Sequence, residues 1–164
     1  MIRIFYYLVA RPILILLRIL LYPAKLILRL ASRILGKVSE SWYLSHADVD
    51  HMNGWEFEEY VAKLLVRNGF RHVETTSGSG DQGVDILADK DGVSYAIQCK
   101  HYDGKIPNKA VQEAYAGAKY YGCDVAVVLT NSYFYPSAFE LGDSVGVELW
   151  DRDMLKKLMR RQYE

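Results

Sequence analysis

The sequence predicts an α/β domain with a mixed central sheet flanked by helices, carried behind an N-terminal hydrophobic and amphipathic helical arm. Three observations point there. Asp91-Gly92, set between two apolar-rich runs, is a strong signal for a two-residue hairpin turn. Asp124 to Thr130 is a near-continuous apolar run of strand length, the pattern of a strand buried on both faces. Segments with helical spacing lie before, between and after these runs, giving the order αβββαβαβα.

Each element follows from its residues. Ile4 to Leu35 is dominated by Ile, Leu, Val and Tyr with single basic residues between; Pro12 and Pro23 are expected to kink or divide a helix there. Gly36 to Asn53 reads as a polar connector. Trp55 to Arg67 is helical because Phe57, Tyr60, Val61, Leu64 and Leu65 recur at three- and four-residue steps; Asn53 caps its start and Asn68-Gly69 ends it. His72 to Thr75 is a short strand and Thr76 to Gly83 a Gly/Ser loop. Val84 to Asp89 and Val93 to Lys100 are the two strands of the hairpin. Asn108 to Tyr121 is a helix, Asp124 to Thr130 the buried strand, and Tyr135 to Gly142 a short helix. Val147 to Trp150 is a strand, and Asp151 caps a final helix reaching Arg161. The expected division is an arm over 1–38, a linker over 39–52 and a domain over 53–164.

Length and charge bound the possibilities. The 164 residues suffice for one domain of ordinary size. Net charge is zero, but residues 1–39 hold seven Lys/Arg and no acid, whereas the rest holds thirteen Lys/Arg against twenty Asp/Glu. Binding of nucleic acid by bulk charge alone is therefore disfavoured for the domain. Two cysteines, Cys99 and Cys123, make no disulfide framework and read as small buried hydrophobes. The four histidines lack metal-ligand spacing, and no phosphate-binding GxxxxGK[ST] loop is present.

The chemistry concentrates in Gly80 to Lys100, GDQGVDILADKDGVSYAIQCK. With Asp91-Gly92 as the turn, Lys90 faces Val93, and counting outward sets Asp85 opposite Gln98. Alternation puts Gln98 and Lys100 on one face and Cys99 on the other. A carboxylate, an amide and an ammonium thus converge at one end of the hairpin. That set can hold a divalent cation beside a positive group, which is what phosphodiester cleavage needs. His101, next in the chain, has two readings: a phosphate contact or a solvated strand end. Lys105, Lys109 and Lys119 are open in the same way, as phosphate contacts or a solvated helix face. The glycines of the loop around Ser79 and Gly80 either admit a DNA backbone or merely connect.

These residues resemble the Mrr-type branch of the PD-(D/E)xK nucleases, the restriction-endonuclease-like superfamily. The approach Gly80-Asp81-Gln82-Gly83-Val84-Asp85 followed by Gln98-Cys99-Lys100 carries the likeness. So do Gly54-Trp55-Glu56-Phe57-Glu58-Glu59-Tyr60-Val61, similar to the family's opening helix, and Ala110 to Leu129, similar to its next helix and strand. The resemblance covers roughly Asn53 to Leu158. It implies a restriction-endonuclease-like fold and a Mg²⁺-dependent endodeoxyribonuclease, with Mn²⁺ as a possible substitute, acting in restriction of foreign or modified DNA. By it, Asp85, Gln98, the Cys99 backbone carbonyl and Glu58 are metal ligands and Lys100 assists the attacking water. Gln98 stands where many such nucleases carry Glu or Asp; an amide oxygen still binds a hard cation but lowers the negative charge. Asp81 and Gln82 would support the site, and Ser79, Gly80, Gln82 and His101 would touch substrate. Glu56 and Glu59 read as solvated charges. Double-strand cleavage with one site per chain would favour a homodimer. Two rivals stay open: a catalytically inactive nucleic-acid-binding or protein-interaction module, and a repair or recombination nuclease.

The arm implies a different partner. On a helical wheel Arg3, Arg11, Arg18, Lys25, Arg29, Arg33 and Lys37 fall within an arc of about 160°. That fits a helix in a membrane interface, its cations toward lipid headgroups. A spanning helix over Ile4 to Leu21 competes, since Arg11 at its middle costs roughly 3 kcal/mol and about a dozen apolar residues offset it. A membrane-associated protein with its domain facing the cytoplasm is expected; a mitochondrial transit peptide is the alternative, against which scarce Ser and high apolar content argue.

Overall fold

The computed structural model of the chain describes residues 11–76 and 82–160. It comprises two compact units, divided between Tyr43 and Leu44. Helix α1 (Arg11–His46), whose last three residues belong to the second unit, runs as one helix through Pro23, so the proline does not divide it. Pro12 sits in the first turn, where a missing N–H is tolerated. Tyr22, Ile27, Leu28, Ile34, Leu35, Val38 and Trp42 are all exposed on α1. Among the described residues no helix is long and apolar enough to cross a membrane. Arg3 and the start of the Ile4 to Leu21 window lie outside the described residues.

The polar connector expected over Gly36 to Asn53 is instead structured. α1 continues to His46, and a 3₁₀ turn spans Val49–His51. Leu44 and Val49 are buried in the core of the second unit, and the Tyr60 hydroxyl donates to the Leu44 carbonyl at 2.7 Å. The polar residues around them mask these two apolar anchors in the sequence.

The second unit then follows the expected order: α2 (Gly54–Arg67), β1 (Arg71–Thr75), β2 (Ile86–Lys90), β3 (Val93–Lys100), α3 (Asn108–Tyr121), β4 (Val125–Thr130), α4 (Pro136–Val145), β5 (Val147–Trp150) and α5 (Arg152–Arg160). The sheet order is β1-β2-β3-β4-β5. β1, β2 and β3 are antiparallel neighbours; β3, β4 and β5 are parallel, with α3 and α4 as crossovers. Asn53 and Glu56 close a reciprocal capping box at α2 (2.9 and 2.8 Å), an arrangement in which the cap alone is worth about 1 kcal/mol. Asp151 caps α5 through the Asp153 and Met154 amides.

Alternation along the strands splits the core in two. Phe57, Leu64, Ile97, Cys99, Val127 and Leu155 pack together on the α2/α5 face, while Val84, Ala96, Val111, Val128 and Ala138 pack on the α3/α4 face. Both cysteines are free, Cys99 buried and Cys123 half-buried. The hairpin register is the one counted from the turn: Lys90 pairs with Val93 and Ile86 with Ile97. Asp91 (φ 54°) and Gly92 (φ 82°) are both left-handed, as a primed two-residue turn requires.

Candidate active site

The ladder between β2 and β3 ends in an exchange of acceptors. Beyond Ile86 and Ile97 the Asp85 N–H still donates to the Ile97 carbonyl at 2.9 Å. The Val84 carbonyl, next in line on that strand, accepts instead from the Thr76 hydroxyl. The Cys99 N–H donates to the Asp85 carboxylate, Oδ2, at 2.6 Å. A side chain thus takes over the role of a backbone acceptor, and Asp85 is fixed against the Gln98-Cys99-Lys100 strand end. Burial pushes the Cys99 thiol well up, reinforced by the charges of Asp85 and Glu58, so the thiol stays protonated and chemically quiet.

On the other face, Gln98 and Lys100 meet at one carboxylate. Gln98 Nε2 donates to Glu113 Oε2 at 3.0 Å, and Lys100 Nζ donates to the same oxygen at 3.1 Å. Lys109 Nζ lies 3.6 Å from the other oxygen. Burial alone would raise the Glu113 carboxyl, but hydrogen bonds from Lys100 and Gln98 and the charges of Lys100 and Lys109 outweigh it and hold it below its ordinary value. Glu113 is therefore ionised at neutral pH. Sequence reasoning missed it; the available signal was its position on α3, four residues after Lys109, on a helix that must cover the face carrying Gln98.

Glycines let the approach loop lie this close. Gly83 has φ +78°, and a Cβ there would meet Glu113 Cβ at 3.1 Å and Gln98 Nε2 at 3.3 Å. A Cβ on Gly117 of α3 would meet Val84 Cγ2 at 2.5 Å and the Gln82 carbonyl oxygen at 2.7 Å. The loop is thus laid directly on α3, and that contact sets the height of Asp85.

Other expected residues are distributed as follows. Glu58 is half-buried on α2, and its charge acts on Cys99 together with that of Asp85. Glu56 serves the capping box, and Glu59 faces Lys63 at 3.9 Å. His101 turns toward α2: its Nε2 donates to the Val49 carbonyl at 2.9 Å and its ring lies 5.4 Å from Phe57. Nε2 is thereby engaged, and His101 also lines the cleft that opens beside Lys100. Gln82 is exposed at φ 52°. Ser79, Gly80 and Asp81 lie outside the described residues. Lys119 sits over Tyr115 at 5.5 Å, and Lys105 over Tyr135 at 5.9 Å.

The fit to a metal turns on one atom. Gln98 is 3% exposed, and its amide oxygen is buried with no hydrogen-bond partner. Such an orphan costs roughly 1–3 kcal/mol unless something binds it. A hard cation is a suitable partner for an amide oxygen beside a carboxylate. Among the described residues no three His, Cys, Asp or Glu side chains cluster closely enough to hold a metal by themselves. The donor set would be mixed, with amide and backbone oxygens joining the acids.

The sequence model of the Mrr catalytic domain, described as restriction endonuclease, matches residues 49–159. The chain belongs to the Mrr-type restriction endonuclease family. Its fold is correspondingly found in solved structures. One is the crystal structure of a protein of unknown function, AF1548, with TM-score 0.54 and 24% identity; the match covers 63% of this chain and 65% of that one. Another is the DNA modification-dependent restriction endonuclease AspBHI, with TM-score 0.56 and 20% identity, covering 74% of this chain and 35% of that one. At these identities the likeness is one of fold, and this Mrr-type chain spans less than two thirds of either neighbour's length. No curated protein sequence matches the chain. Family membership supports a nuclease activity on DNA.

Proposed function

We propose that the domain is a metal-dependent DNA endonuclease that hydrolyses phosphodiester bonds, with restriction of foreign or modified DNA as its role. The observation that carries this is the convergence at the β3 end: Gln98 and Lys100 held by Glu113, Asp85 bound to the backbone between them, and the Gln98 amide oxygen left for a ligand. Asp85, Gln98 Oε1, the Cys99 carbonyl and Glu58 would hold Mg²⁺, or Mn²⁺ in its place, which supplies Lewis-acid polarisation of the phosphate. Lys100 acts as a cation and donor, orienting the attacking water and stabilising charge that grows on the phosphate oxygens. Glu113 positions the Lys100 ammonium and fixes which way the Gln98 amide points. Its two partners on one oxygen make the orientation of both side chains a single rigid unit.

Supercoiled plasmid, with and without Mg²⁺, provides the test. Folded Lys100→Ala protein should cut at least about a hundredfold more slowly than wild type. Cleavage at the wild-type rate would mean that the assigned site is wrong. Absence of metal-dependent nicking by wild type would favour the inactive binding module instead.

We further assign α1 to a membrane surface. Its large exposed apolar side chains alternate with Lys25, Arg29, Arg33 and Lys37, a pattern suited to burial of the apolar face among lipids and attraction of the cations to anionic headgroups.

A further inference from the structure

A cleft of about 650 Å³ opens from the candidate site, and most of its lining takes no part in the chemistry above. Lys100 and Glu113 form its inner end, and Tyr102, Lys105, Lys109 and Tyr135 line the rest. We infer that this cleft receives an unpaired nucleotide next to the scissile phosphate, so that the enzyme prefers DNA with single-stranded character. The inference rests on the nuclease reading for its position and on the cleft itself for its specificity.

Both tyrosines are presented to solvent, Tyr102 at 58% and Tyr135 at 49% exposure. Solvent-facing rings of this kind are platforms on which bases stack without sequence preference, and the Lys105 ammonium over the Tyr135 ring would lie beside the phosphate of a base stacked there. Their backbones are held firmly. The Tyr102 N–H donates to Oδ1 of buried Asn131 at 2.8 Å. The loop carrying Lys105 is zipped to the loop carrying Tyr135: the Ile106 N–H donates to the Tyr133 carbonyl at 2.8 Å, and the Tyr135 N–H to the Ile106 carbonyl at 3.1 Å. Gly104 clears the space Tyr102 occupies, since a Cβ there would meet the ring at 2.9 Å. The two aromatic walls are therefore built into the fold.

Charge and size point the same way. Lys100, Lys105 and Lys109 outweigh the Glu113 carboxylate that pairs with two of them, so the cleft stays positive in a domain whose remaining charge is net acidic. Backbone phosphates are attracted here rather than to a broad basic face. A volume of about 650 Å³ is of the size that takes a small-molecule ligand such as one nucleotide. Bases in a duplex are stacked on one another and cannot reach the tyrosines without being unstacked, whereas an unpaired base can do so directly.

The test uses the full chain with a short single-stranded oligodeoxynucleotide carrying 2-aminopurine, its duplex, and a duplex with a single-stranded flap. Stacking should quench the fluorophore in the single strand and the flap. Tyr102→Ala with Tyr135→Ala should abolish the quenching and weaken single-strand binding by at least about tenfold. Tyr102→Phe with Tyr135→Phe, which keeps the rings, should restore both. With Mg²⁺ the flap and single strand should be cut at least about tenfold faster than the duplex, and the double Ala variant should lose that ratio. Equal cleavage of all three substrates together with no quenching would overturn the inference and leave the nuclease reading standing. Quenching that depends on the tyrosines, with no cleavage of any substrate, would sink the nuclease reading while upholding the cleft as a nucleotide site.

Discussion

Gln98 is the residue on which the site's electrostatics turn. Its amide nitrogen satisfies Glu113 while its oxygen faces no donor, so the side chain joins a negative group to a place for a positive one. Gln98→Leu removes both functions. Gln98→Glu keeps an oxygen ligand but sets a second carboxylate against Glu113, a repulsion that a bound cation would relieve. Thermal melts should therefore show Gln98→Glu gaining more stability from added Mg²⁺ than wild type does, and Gln98→Leu gaining little. An identical Mg²⁺ response in the two variants would exclude Gln98 as a ligand. This arrangement was half legible in the sequence. A two-residue turn fixes register by counting, so the β2–β3 pairing from Lys90–Val93 out to Ile86–Ile97 follows from Asp91-Gly92 alone. The place of Glu113 does not follow, because its role depends on how α3 crosses the sheet, and no local pattern encodes that crossing. His101 was similarly opaque: its partner, the Val49 carbonyl, is 52 positions away.

At the scale of elements, α3 serves as the bed on which the approach loop rests. Gly117 is the contact point. Replacing glycine by alanine inside a helix ordinarily stabilises it by about 1 kcal/mol. Here the added methyl would press on the Val84 side chain and on the Gln82 backbone, which cannot move without carrying Asp85 along. Overpacking of this kind costs roughly 1–3 kcal/mol. Gly117→Ala should accordingly lower the melting temperature and slow DNA cleavage together. An increase in melting temperature with full activity would show that the loop does not rest on the helix. The elements themselves were largely readable, because α2 has strong helical spacing, β2 and β3 flank a clear turn signal, and β4 is a near-continuous apolar run. The segment before α2 was not: Leu44 and Val49 are single apolar residues in a polar stretch, and only the receiving core makes them anchors.

At the scale of the whole molecule, the arm and the domain make separable demands. Full-length protein should pellet with anionic vesicles, and high salt should weaken that binding as expected for an interfacial helix. A fragment beginning at Glu40 keeps Leu44 and Ser45 and should remain soluble and folded. One beginning at Asp48 loses the buried Leu44 side chain and the Ser45 contact to Arg67, and should melt at a lower temperature. Full-length protein that stays off vesicles would point the apolar surface of α1 toward a protein partner instead. One last feature reaches across the fold. Arg152 grips Asp50 with both terminal guanidinium nitrogens, and this hydrogen-bonded pairing holds the Asp50 carboxyl down at about 2. Because that carboxyl is depressed, its contribution is complete above about pH 4 and is lost as pH falls toward about 2. The two residues stand 102 positions apart. Closing so long a loop is entropically costly until the intervening strands have assembled. The clasp should then form after the rate-limiting step of folding. In stopped-flow chevrons, Asp50→Asn is expected to hasten unfolding while leaving the refolding limb unchanged; a slowed refolding limb would place the pair in the nucleus. The bond would thus act as a latch on the finished domain, governing how long it stays folded rather than how quickly it gets there.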